Sequence, residues 1–293
     1  MDVFQFGFIF IICISITLNA TFLKNMVRKR NKTSYQFLCL HLSVADILQC
    51  SLGYVPEAIC LSTSRSTLFS LKPFCHYAAF VILAISCASI SLALLINLFR
   101  LLTLVAPFKM YNIEGSKHEI SRFVGLSYLV GLISATPPLF DVSRYTTESS
   151  GRRCSIDFNA TSFESQLYLT YLIVTFFFFP LAIGFTIMII STIDTSEKIT
   201  NSKSCYGKQH DITMQLVKDR QSLFFHSSLN LALFMVVWAP YASCSLITLL
   251  YGYTLPDWLL NISALFAKLS TLTNAFVYCY REKYKLVKRI VTR

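Results

Sequence analysis

Apolar residues in this chain gather in long, nearly unbroken runs. Seven of them reach the length of a bilayer crossing, roughly 20 residues, and lie near 4–26, 35–61, 73–105, 121–140, 165–193, 221–250 and 257–280. Charged and polar clusters stand between them. The pattern predicts an all-α membrane protein. A seven-transmembrane helix bundle forms a single domain over 1–293, and the cytoplasmic tail at 281–293 carries a short amphipathic helix. The first run starts at Phe4, lacks a basic leader and carries Asn19 deep inside, so it reads as a span rather than a signal peptide.

Composition agrees. Hydrophobic residues make up 54% of the 293, and only 14% are charged, against about 25% in ordinary globular domains. The net charge of +11 would suggest nucleic acid, but its placement excludes that reading. Lys24 sits at the end of the first run, and Arg28, Lys29, Arg30 and Lys32 follow it. Lys109, Lys117 and Arg122 separate the third from the fourth, and Lys198, Lys203, Lys208, Lys218 and Arg220 the fifth from the sixth. Arg281, Lys283, Lys285, Lys288, Arg289 and Arg293 follow the seventh. All face one side of a seven-span topology. The positive-inside rule puts that side in the cytosol and the N-terminus outside, as in an integral protein of the plasma membrane. The basic face also suits anionic lipid headgroups. Nothing suggests the inverted repeats of a transporter.

Polar residues inside the runs are few. Asn19, Asp46 and Asn274 fall in the first, second and seventh, and should meet one another or trapped water. Pro56, Pro137, Pro138, Pro180 and Pro240 interrupt runs and should kink them. Most cysteines sit among apolar residues and act as small hydrophobes. Cys75 and Cys154 face the oxidising side, where a disulfide is the natural pairing, with Cys60 as a competitor. Asn159-Ala-Thr161 is a glycosylation acceptor in the outer loop.

Lys268 is the one charged residue in the stretch Ile262–Tyr278 of the last run. A lysine at the centre of a membrane helix costs about 2.5–3.5 kcal/mol on insertion scales. The cost is tolerable where the amine has a partner or a chemical task, and condensation with an aldehyde is one such task.

These residues, taken together, resemble the rhodopsin-like (class A) family of G-protein-coupled receptors. Asn19 and Leu42-Ser-Val-Ala-Asp46 match its signatures in helices one and two. Cys75 and Arg100, 25 apart, have the family spacing in helix three. Pro180 matches helix five, Phe234-Met-Val-Val-Trp238-Ala-Pro240 matches helix six, and Asn274-Ala-Phe-Val-Tyr278 matches Asn-Pro-x-x-Tyr with one change. Within that family the chain is similar to the opsins. Lys268 lies six residues before Asn274, the place of the retinal-linking lysine. Ser143-Arg144-Tyr145-Thr-Thr-Glu148 and Cys154-Ser-Ile-Asp157-Phe158 resemble the outer loop of visual pigments.

The resemblance implies a covalent retinal, 11-cis or all-trans, joined to Lys268. Burial favours the neutral, nucleophilic amine, and a protonated link needs a counterion. Visual pigments place a glutamate three residues after the helix-three cysteine, but here that position is Ala78. Glu148 takes the role by resemblance; read alone it is an exposed glutamate near Arg144, Arg152 and Arg153. An unprotonated link would absorb in the near ultraviolet. Trp238, Tyr241, Ile82, Ser86, Phe176 and Phe177 are expected to wall the pocket, although aromatic pairs are also ordinary packing. Neither catalytic residues nor a metal are expected. Partners implied are the lipid bilayer and a heterotrimeric G protein engaged through Arg100, Asn274 and Tyr278, and a homodimer is compatible.

The chain departs from the family at its inner end. Phe99-Arg100-Leu101 lacks the acid beside the arginine, Arg220 stands where many members have a glutamate, and Met188 replaces a tyrosine. Ala275 replaces the proline of the last motif and should straighten helix seven, and Tyr128 replaces the common helix-four tryptophan. Three functions follow in order: a light-sensing receptor coupled to a G protein, a retinal photoisomerase, and a receptor for a non-retinal ligand.

Overall fold

The computed structural model describes residues 3–29, 32–62, 72–105, 117–147, 154–158, 162–202, 208–252 and 255–277. Helix α1 spans Val3–Val27. The second crossing joins α2 (Ser34–Leu48), a π-helical turn (Gln49–Tyr54) and α3 (Val55–Ser62). Helix α4 (Lys72–Val105) and helix α5 (Lys117–Ala135) follow. The fifth crossing joins α6 (Phe163–Ile173), a second π turn (Val174–Phe178) and α7 (Phe179–Ser202). Helix α8 (Lys208–Tyr251) is the sixth, and α9 (Asp257–Lys268) begins the seventh. Among the described residues, six crossings are long and apolar enough to span a bilayer by themselves. The seventh is α9 continued by a helical stretch at 270–277. The molecule is an integral membrane bundle.

Local chemistry sets several boundaries. The Thr33 side chain caps α2 while the Gln36 side chain accepts from the Thr33 N–H, a reciprocal capping box. Ser162 caps α6 by accepting from the Ser165 N–H. Both π turns end two residues before a proline, at Pro56 and Pro180. Proline lacks an N–H and clashes with the carbonyl one turn back, and a widened turn relieves that clash. Pro240 sits inside α8. Pro137 and Pro138 do not interrupt a helix as expected. Helix α5 has already ended at Ala135, and the two prolines open a 3-10 turn over Pro137–Phe140, where a missing N–H costs little.

Helices α4 and α5 approach closely at Gly131. A Cβ on Gly131 would strike the Ala84 carbonyl oxygen, so only glycine permits this approach. Tyr128 donates to the His41 carbonyl at 3.0 Å, tying the fourth crossing to the second. An inner core gathers Leu38, Leu42, Leu92, Ile96 and Val124, and an outer one gathers Cys60, Ala79, Tyr145 and Tyr168. Phe10, Ile133, Ile189 and Val236 point outward, where lipid would cover them.

One element was not anticipated. The outer loop forms an antiparallel hairpin of β1 (Tyr145–Thr147) and β2 (Cys154–Ile156), pairing Tyr145 with Ile156 and Thr147 with Cys154. Its strands are three residues each, too short for periodicity to reveal. The expected amphipathic helix at 281–293 lies outside the described residues.

Candidate functional site

Lys268 closes α9, and the helix tightens immediately after it. The Leu269 N–H is shared between the carbonyls of Leu265 at 3.2 Å and Phe266 at 3.0 Å. The seventh crossing is irregular at Leu269, whereas helix runs unbroken over 270–277, through Ala275. The Lys268 side chain is 10% exposed. Its Nζ lies 2.8 and 2.6 Å from the two carboxylate oxygens of Glu57, whose side chain is 3% exposed. The Phe8 ring centroid is 4.4 Å from the same nitrogen and that of Tyr54 is 5.3 Å away. Both rings present a negative π face to a cation. The first, second and seventh crossings thus converge on one amine.

Sequence reasoning passed over Glu57. A signal for it existed. An acid in an apolar span is a candidate for function by default. Glu57 follows Asp46 by eleven residues, about three turns of an α-helix. Glu148, the expected counterion, lies outside the described residues.

Lys268 and Glu57 open into a cavity of about 180 Å³. Ile82 and Ser86 of α4, Phe176 and Phe177 of the second π turn, and Trp238 and Tyr241 of α8 all line it. The side chains singled out for the pocket are therefore brought together. Tyr54 joins them, as do Ser155, Ile156 and Phe158 of the outer-loop run, none of which was assigned to the wall. Phe177 stacks on Phe234 at 6.0 Å, and Phe234 leans on Trp238 at 6.5 Å. Gln49 donates to Tyr54 at 2.8 Å and to Ser86 at 2.7 Å, which fixes the polar edge of the wall.

Strand β2 supplies the lid through Ser155 and Ile156, with Phe158 just beyond it. Tyr145, on the partner strand, donates to the Ala135 carbonyl at 2.7 Å. Burial pushes the Tyr145 phenol well above its ordinary value, so it stays a donor. Cys75 is disulfide-bonded, whereas Cys60 is a free thiol.

The polar residues of the crossings fall into two groups. Asn19 donates to the Ser15 carbonyl at 2.9 Å and the Thr271 carbonyl at 3.0 Å. Asn274 approaches Asp46 at 3.3 Å. A second, smaller cavity of about 70 Å³ includes Asn97, Ser89 and Asn274, with Trp238 and Ser86 shared between the two. At the inner end Arg100 donates to the Tyr35 hydroxyl at 2.9 Å and lies over its ring. The Arg220 side chain and Tyr278 lie outside the described residues.

A family model for the 7 transmembrane receptor (rhodopsin family) matches residues 19–278. The chain belongs to that family. It is a family of receptors rather than enzymes. The receptor is 25% identical over 288 residues to a melanopsin of Branchiostoma belcheri, covering 93% of this chain and 40% of that one. It is 24% identical to human melanopsin, covering 92% of this chain and 57% of that one. A rhodopsin of Myripristis berndti is also 24% identical, with 88% and 71% covered. The receptor therefore spans about half the length of these melanopsins. Squid rhodopsin shares its fold, with a TM-score of 0.78 at 17% identity, over 98% of this chain and 85% of that one.

Proposed function

We propose that this receptor is an opsin, binding retinal covalently through Lys268 and signalling to a heterotrimeric G protein from the plasma membrane. The observation that carries the reading is one amine, buried at the end of an aromatic-walled cavity and opposed by a carboxylate. The donor set fits the group. A primary amine can take an aldehyde, Trp238, Tyr241 and Phe176 line the space with aromatic rings suited to a polyene, and no other charged side chain among the described residues lines the cavity besides Lys268 and Glu57. Bound retinal would supply light absorption and a change of shape, its aldehyde carbon having joined the Lys268 nitrogen with loss of water. The protein's part is to hold the amine, exclude bulk water and confine the chromophore. Strand β2 and Phe158 cover the cavity, and a Cys75–Cys154 disulfide would pin that lid to α4. Asn159 would carry the glycan outside, with the N-terminus on the same side and the tail in the cytosol.

A retinal photoisomerase is the second reading. It is favoured by the inner end, where Arg100 follows Phe99 rather than an acid and binds the Tyr35 hydroxyl. The deciding experiment has two stages. Expressed protein is incubated in the dark with 11-cis or all-trans retinal, purified and compared with Lys268→Ala. A light-sensitive absorption band that is lost in the variant supports the opsin, and absence of any band removes both retinal readings. Light-stimulated nucleotide exchange on G proteins then separates signalling from isomerisation alone.

A further inference from the structure

We infer that Glu57, on the second crossing, is the counterion of Lys268, and that the positive charge in this pocket is balanced there rather than from the third crossing or the outer loop. The inference rests on the retinal reading above and deepens it.

The geometry is bidentate. Both carboxylate oxygens of Glu57 lie within 2.8 Å of the Lys268 nitrogen. Among the described residues that line the cavity, Glu57 is the one acidic side chain. The two groups come from residues 211 apart in sequence. Such a pair is not explained by stability. Taking two charges out of water is expensive, and well-packed apolar residues of similar volume often serve a fold as well or better. A carboxylate retained here has work to do on the amine.

The surroundings are arranged around a cation. Phe8 and Tyr54 bring ring faces to the nitrogen, an arrangement that favours positive charge and disfavours negative charge. Gln49 holds the Tyr54 hydroxyl as a hydrogen-bond acceptor, so Tyr54 keeps its place beside the pair. On α4, the helix facing Glu57 across the cavity, Ala79, Ile82 and Leu83 carry no charge. Ala78 is fully buried and equally neutral. When the nitrogen of Lys268 is linked to an aldehyde it keeps one site for a proton. Glu57 is placed to hold that proton's charge on the nitrogen, and the ion pair seen with the free amine becomes the ion pair of the linked one.

The test is spectroscopic. Wild-type, Glu57→Gln, Glu57→Asp and Glu148→Gln proteins are expressed, loaded with retinal in the dark and purified. The expected result is a visible band for wild-type and Glu148→Gln, and a band moved to the near ultraviolet for Glu57→Gln, because the uncompensated proton leaves. Should Glu57→Gln fail to reach the membrane, Glu57→Asp decides. A visible band displaced from wild-type supports the inference, since the shorter side chain lengthens the ion pair, and an undisplaced band overturns it. A visible band in Glu57→Gln with an ultraviolet one in Glu148→Gln overturns Glu57 as the counterion and leaves the opsin reading intact. A wild-type band already in the near ultraviolet also overturns it. Wild-type protein that takes up no retinal overturns the opsin reading and this inference with it.

Discussion

Phe158 meets Tyr241 edge to face, with ring centroids 6.0 Å apart and planes at 81°. This contact joins the end of the outer hairpin to the sixth crossing, and both rings line the cavity. An aromatic pair is worth about 0.5–1.5 kcal/mol beyond its area. Phe158→Ala should therefore loosen the lid without unfolding the bundle. Amide exchange at 154–158 should accelerate while that of α4 stays unchanged; equal exchange in both proteins would show that the ring does not hold the hairpin.

The Lys268–Glu57 pair should be strongly non-additive. Removing one partner strands a buried charge, which typically costs about 3–5 kcal/mol. Lys268→Met and Glu57→Leu should each lower the unfolding temperature in detergent, and the double variant should regain most of the loss. A double variant as unstable as the sum of the singles would mean that the two groups do not act on each other.

Two glycines should respond differently to the same change. A Cβ on Gly131 meets the Ala84 backbone oxygen, which cannot step aside. A Cβ on Gly53 meets Ile82 Cγ1 at 2.6 Å, a side chain that borders the cavity and can move into it. Overpacking typically costs about 1–3 kcal/mol. Gly131→Ala should lower thermal stability more than Gly53→Ala, while Gly53→Ala should have the larger effect on ligand uptake. Melting curves and retinal titrations of both variants check the order.

At the inner end, Tyr35→Phe keeps the ring over which Arg100 lies but deletes its hydroxyl acceptor. Hydrogen bonds to charged groups contribute about 1.5–3 kcal/mol. The variant should melt at lower temperature than wild-type, and Tyr35→Ala, which also removes the ring, lower still. Identical melting of the two variants would assign the whole effect to the hydroxyl.

The class of fold was legible because a bilayer imposes length and apolarity on every crossing, and the charges between crossings record the topology. The aromatic wall was legible through motif spacing: Trp238 and Tyr241 share a face of one helix, and Ile82 and Ser86 lie one turn apart. Glu57 was not, although its residue type was a clue. Which crossing faces Lys268 at that depth depends on how seven helices are rotated, and no local pattern encodes that rotation. The π turns escaped for the same reason. Pro56 and Pro180 announce an irregularity but not whether the helix bends or widens. The position of Pro137 and Pro138 was misjudged because apolar residues continue past the true helix end at Ala135.

The widened turn over Gln49–Tyr54 divides the second crossing into two halves that can be tuned separately. Each residue of an α-helix advances by about 100°. Deleting one residue within that turn would swing everything beyond it by about that angle, carrying Glu57 off the amine, while Asp46 kept its alignment with Asn274. A single deletion there would therefore withdraw the charge presented to the pocket while keeping the Asp46–Asn274 contact, so this turn sets the phase of the outer half of the crossing against the inner half.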